Sequence, residues 1–180
     1  MQEIEKKQIT PVEAAAAMMQ FTMKSIENGW ETIRPVFTAF LTEPALSQAK
    51  EDELLREIYI AALALEIYCI PHAFDKETAS IVLSGMNEVM ASENLVSHQL
   101  SAPINEQYLP KFEAVNGEDP ADLALALVEE AASILYKRLE LPLKPADPDK
   151  SMLWAKLFPF LAGHVGKWPI LQAKFTIQSE

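Results

Sequence analysis

This chain is poor in the features that most often fix a small protein's chemistry. It carries one cysteine, Cys69, in 180 residues, so no internal disulfide can form and a reducing, cytoplasmic setting is expected. Its most apolar stretch, Ile58 to Ile70, is 13 residues long with Glu66 inside it, whereas a membrane-spanning helix needs ~20 apolar residues. No membrane span is expected, and Ala14 to Met19 is too short and too weakly apolar for a secretory core. Basic residues are scarce as well: 15 Lys and Arg stand against 26 Asp and Glu, a net charge of −11. That excess repels a phosphate backbone, so no nucleic-acid partner is expected. The imbalance is local, because residues 61–120 hold nine acids and two bases while residues 121–180 hold seven of each.

Catalytic signatures are missing too. His98 and His164 fall in neither an H-E-x-x-H nor a Glu-x-x-His arrangement, which sets aside zinc-protease and di-iron chemistry. No G-x-S-x-G elbow is present. The run from Gly163 to Trp168 lacks the four-residue gap and the Ser or Thr of a phosphate loop, and reads as a turn after a helix. No cofactor is expected.

What the chain has is helical periodicity. Hydrophobic residues make up 49% and charged residues 23%, enough for a packed core in a single domain over residues 1–180. The spacing predicts an all-α, irregular bundle of six or seven helices with an extended, strand-like C-terminal tail over residues 163–180. Thr10-Pro11-Val12-Glu13 is a capping box with proline in the first turn. Its helix carries the stripe Val12, Ala16, Met19, Met23, Ile26, Trp30, with an end expected at Asn28-Gly29. Ile33, Val36, Phe37, Phe40 and Leu41 predict a second, shorter helix. A third begins among Glu51, Asp52 and Glu53, turns apolar on all sides from Ile58 until Pro71 stops it, and is the expected central helix. Asp75 caps a fourth through Met90, with Gly85 permitting close approach of a neighbour. A loop is expected over 92–104 and a short helix over 105–115. Asp119-Pro120 opens the strongest helix, reaching Leu141, and Pro142, Pro145 and Pro148 lead to a last helix from Lys150 to Phe158.

At the end of the chain the period changes. Leu171, Ala173, Phe175 and Ile177 alternate with polar residues, a period of two that suits a strand. No other segment offers a convincing partner, so the tail is expected to lie over the bundle, pair weakly with residues 94–104, or add to a second molecule.

Two sets of residues stand out. Trp154, Phe158, Phe160 and Trp168, followed by Leu171, Phe175 and Ile177, concentrate aromatic and apolar groups in the least acidic part of the chain. They are the expected interface with a protein partner or a second copy, in a non-catalytic interaction module: a regulator, adaptor or chaperone-like accessory factor. Glu66 is an isolated carboxylate among Leu63, Leu65, Ile67 and Ile70, with Cys69 and His72 on nearby turns. The simpler expectation is an interior Glu bonded to a Tyr, Arg or His from another helix, with Cys69 as a small hydrophobe. The alternative is a small-molecule-binding protein or enzyme with a ligand or metal site at Glu66, Cys69 and His72, a set without a known ligand spacing. The methionines Met18, Met19, Met23, Met86 and Met90 are expected in the core, with a ligand pocket as the alternative.

Overall fold

In the computed structural model the described residues are 6–40, 46–92, 96–139 and 152–178. The chain forms an all-α bundle in which a two-stranded parallel sheet ties the two ends together. Strand β1 (Lys7–Ile9) leads into helix α1 (Pro11–Phe40), followed by α2 (Gln48–Ala73), α3 (Lys76–Ser92) and α4 (Val96–Pro103). A π-helical turn (Ile104–Tyr108) joins α4 to α5 (Leu109–Phe112), and α6 (Pro120–Arg138), α7 (Met152–Ala162), α8 (Lys167–Lys174) and strand β2 (Phe175–Ile177) complete the chain. Among the described residues no helix is long and apolar enough to cross a membrane.

The capping box forms as its residues dictate: Thr10 Oγ1 accepts from the Glu13 N–H at 3.1 Å, and Glu13 Oε2 accepts from the Thr10 N–H at 2.8 Å. The helix it opens then departs from expectation. The predicted first and second helices are one 30-residue helix that runs through Asn28-Gly29 and Pro35. Its buried line is Ala15, Met19, Thr22, Ile26, Trp30, Ile33 and Phe37, an unbroken succession of steps of three and four that gives the chain no reason to stop. Val12 and Met23, placed on the inner stripe by the sequence, face outward. Gly29 is a packing residue: a Cβ there would lie 2.6 Å from the Phe160 ring of α7.

Helix α2 is the hub and packs against α1, α3, α5, α6, α8 and the π-helical turn. Ser47 caps it, and Pro71 sits within its last turn, the helix ending at Ala73 instead of at the proline. Asp75 caps α3, its carboxylate accepting from the Glu77 and Thr78 N–H groups. Gly85 of α3 lets the start of α1 press close, since a Cβ would meet the Pro11 carbonyl oxygen at 2.7 Å. Within the expected loop over 92–104, residues 96–103 are helical, and the Leu109 N–H reaches back five residues to the Ile104 carbonyl to make the π-helical turn. Asp119 caps α6 at 2.7 and 2.9 Å, and α6 ends at Arg138 instead of Leu141. The proline connection at Pro142, Pro145 and Pro148 lies outside the described residues, as do Leu41 and Lys150.

The tail has a mate in its own chain, which corrects the expectation of an unpartnered strand. Lys7 pairs with Phe175, Gln8 with Thr176 and Ile9 with Ile177, and the Gln178 N–H donates to the Ile9 carbonyl at 3.0 Å. The tail is also less extended than its alternation suggests, because residues 167–174 are helical and the strand occupies three residues. Strand β2 falls within the alternating segment, whereas β1 is too short to read from sequence, only Ile9 offering an apolar contact.

Candidate functional site

The polar centre of the bundle lies where α1, α2 and the C-terminal segment meet. The side chain of Glu66 projects from the middle of α2 into the core and is 0% exposed. Thr22, on the buried line of α1, places its hydroxyl 2.6 and 2.7 Å from the two carboxylate oxygens and donates its one proton between them. The turn between α7 and α8, held by the His164 N–H to the Leu161 carbonyl, brings His164 Nδ1 to 2.8 Å from Glu66 Oε1. Lys167, the first residue of α8, lies 3.3 Å from the same oxygen and 2.8 Å from His164 Nδ1. The Trp168 Nε1–H donates to the Glu66 backbone carbonyl at 2.8 Å, and Gln172 Nε2 donates to the Ala73 carbonyl at 2.9 Å. Helix α8 is thereby fastened along the last turns of α2.

Proton accounting constrains this cluster. His164 Nδ1 offers either one N–H or one lone pair. With the proton it donates to Glu66; with the lone pair it accepts from Lys167. It cannot do both, so a single proton decides which neighbour the ring serves. Burial pulls the Lys167 ammonium below its usual range, and the Glu66 carboxylate opposes that shift. Glu66, His164 and Lys167 are all buried, and none of the grooves described below is lined by Glu66 or His164. The cluster thereby joins α1, α2 and the α7–α8 turn through hydrogen bonds and an ion pair.

A second buried acid, Glu57 of α2, is met by Arg138 of α6 in a two-pronged pair at 2.6 and 3.1 Å, with Arg138 also donating to Gln107 of the π-helical turn at 2.7 Å. This pair closes the opposite side of α2.

The residues singled out by sequence fall in three places. Cys69 and His72 line an open cleft of about 500 Å³ with Glu118, Asp119 and Pro169, whereas Glu66 is sealed away from it. The Cys69 thiol is pushed up to about 12 by burial, with Glu66 adding to the effect, so it stays protonated and unreactive. His72 is exposed at the end of α2, its ring 5.4 Å from that of Tyr68. Among the described residues no group of three or more His, Cys, Asp and Glu is disposed to hold a metal. Of the aromatic set, Trp168 is fully buried with its ring edge-on to Phe74 at 5.5 Å, and Leu171 is buried beside it. Phe158, Phe160, Phe175 and Ile177 are half-buried against the core. Trp154 lies in α7, and its side chain is outside the described residues; so is that of His98.

A Tyr, Arg or His partner for Glu66 is expected from sequence and proves to be His164, whereas Thr22 and Lys167, which complete the cluster, are not anticipated. Thr22 left one readable trace, a polar residue seven positions before Gly29 on a line that is otherwise apolar. His164 sits 98 residues from Glu66, beyond any local pattern.

Outside the cluster, the surface exposes apolar side chains along two grooves. One, of about 190 Å³, runs between α1 and α8 and is lined by Ala17, Phe21, Lys167, Ile170, Lys174 and Phe175 among others. Phe21 is 54% and Ile170 56% exposed, and the Lys167 ammonium stands 4.9 Å over the Phe21 ring. The other groove, about 300 Å³ on the far side of α1, is lined by Met23, Ile26, Leu55, Tyr59 and Leu100 between Glu27 and Arg56.

The fold and the cluster together define a class: an all-α bundle with a closed, hydrogen-bonded polar centre and apolar grooves on its surface. No protein-family model, curated protein or solved structure matches this chain.

Proposed function

We propose that the chain is a non-catalytic protein-interaction module whose docking face is the groove between α1 and α8. The observation that carries this reading is the exposure of Phe21 and Ile170 across one groove, in a bundle whose Glu66, His164 and Lys167 are turned inward. Exposed aromatic and branched side chains facing each other are the usual core of a recognition surface. The C-terminal segment keeps a share in this interface, through the outer side of α8 and Phe175 at the start of β2 and not through Trp168. A net charge of −11 argues against nucleic acid as the partner. A single, buried, protonated cysteine suits a reducing cytoplasm.

A photo-crosslinking residue placed at position 21 in living cells tests the reading, with position 111 on the exposed surface of α5 as control. Discrete adducts are expected from position 21 and none from 111. Equal labelling from both positions, or none from 21, contradicts it.

A further inference from the structure

We infer that the occupant of the α1–α8 groove is the outer face of α6 from a second copy of this chain, an inference that rests on the docking role given to the groove above. The groove has a definite charge order. Strand β2 follows α8 and pairs with β1, which precedes α1, so the end of α8 lies toward the start of α1, while Lys167 at the other end stands over Phe21. Lys174 therefore marks the end of the groove near Ala17, and Lys24, exposed one turn beyond Phe21 on the same face of α1, marks the opposite end. Between these two cations lie Phe21 and Ile170. Helix α8 carries no acid at all, Glu13 at the start of α1 is occupied with the Thr10 cap, and the next acids along α1, Glu27 and Glu31, lie beyond Lys24.

Helix α6 presents the complement. Asp122, Leu125 and Glu129 follow one another at steps of three and four on its exposed face. Leu125 is 50% exposed, which makes it, with Phe21 and Ile170, one of the few large apolar side chains turned to solvent. No base precedes Lys137 on this helix. The spacing matches as well: Asp122 to Glu129 is seven residues, about 10 Å along a helix, and so is Ala17 to Lys24. Leu125 of one copy seats between Phe21 and Ile170 of the other, with a carboxylate reaching each terminal lysine, a helix laid in a groove. A flat anionic bilayer fits this concave, rod-shaped surface less well, and the net charge of −11 opposes its approach. The same charge makes two copies repel at long range, so pairing is expected at physiological rather than low ionic strength.

Charge exchange supplies the test, because every residue concerned is on the surface. One full-length variant carries Lys24→Glu and Lys174→Glu; a second carries Asp122→Lys and Glu129→Lys. Circular dichroism checks that each remains folded, and sedimentation velocity at high micromolar concentration reads the assembly. Wild-type protein is expected to associate reversibly. Each variant alone should associate at least about tenfold more weakly, since like charges then face each other, and mixing the two should restore association because both contacts become complementary. Leu125→Ser should abolish it in the wild-type background. A wild-type protein that stays monomeric, or that associates without regard to these exchanges, overturns the inference. If it is monomeric while position 21 still crosslinks to a different protein, self-pairing fails and the interaction-module reading stands; if anionic vesicles instead sediment with it in a manner dependent on Lys24 and Lys174, the occupant is a membrane and the inference is likewise overturned.

Discussion

The two sides of α8 are built on opposite principles. Its inner side buries Lys167, Trp168 and Leu171 and satisfies the polar atoms there, Lys167 against Glu66 and the Trp168 indole against the Glu66 carbonyl. Its outer side leaves Ile170 in solvent, and its last turn leaves Lys174 there too. An eight-residue helix thus puts a charge where an apolar group would be easier and an apolar group where a charge would be easier. The inner anomaly is resolved within the chain, since every buried member of the cluster has a partner. The outer one is not, and the recognition role proposed for this face rests on that difference.

Removing the carboxylate is the most severe way to break the inner side. Glu66→Ala leaves Lys167 and His164 buried without their anion and is expected to cost about 3–5 kcal/mol, read from equilibrium urea unfolding. Trp168→Ala should follow closely at about 3–4 kcal/mol, from lost packing and the lost indole bond. Cys69 sharpens the picture without a mutation. Its folded thiol titrates near 12, above its unfolded value, so the folded state holds the proton through that interval and stability falls as pH rises from the unfolded pKa toward 12. At mildly alkaline pH a thiol reagent should therefore label native protein at a small fraction of the rate seen in denaturant. On the outer side, Ile170→Ser should change stability by no more than about 0.5 kcal/mol while reducing crosslinking at position 21.

How far the sequence reveals this arrangement depends on the range of the interaction. Thr10 to Glu13, Asp75 to Thr78 and Asp119 to Asp122 are local circuits of side chain and backbone, and each was legible because three or four residues contain the whole device. The all-α architecture followed from periodicity for the same reason. Gly29 misled because a helix-ending glycine and a glycine that admits a neighbouring ring look alike until Phe160 is in place. The β1–β2 pair joins the two ends of the chain, and three-residue β1 carries no strong signal alone. Glu66 was visible as an anomaly, an acid inside an apolar helix, and an interior partner of His type was anticipated. Which histidine, and that Lys167 and Thr22 would join it, depended on contacts across 44 to 101 positions.

The two lysines of α8 offer the sharpest measurement, since the residue type is constant and they stand two turns apart at the two ends of one helix, Lys167 buried against Glu66 and Lys174 exposed. Lys167→Met and Lys174→Met, unfolded in urea under identical conditions, should separate widely. The first removes the cation beside Glu66 and is expected to lose several kcal/mol, about 3 or more, while the second stays within about 0.5 kcal/mol of wild type. Equal losses in the two variants, or an unchanged midpoint for Lys167→Met, would contradict the structural role given to the buried end of α8.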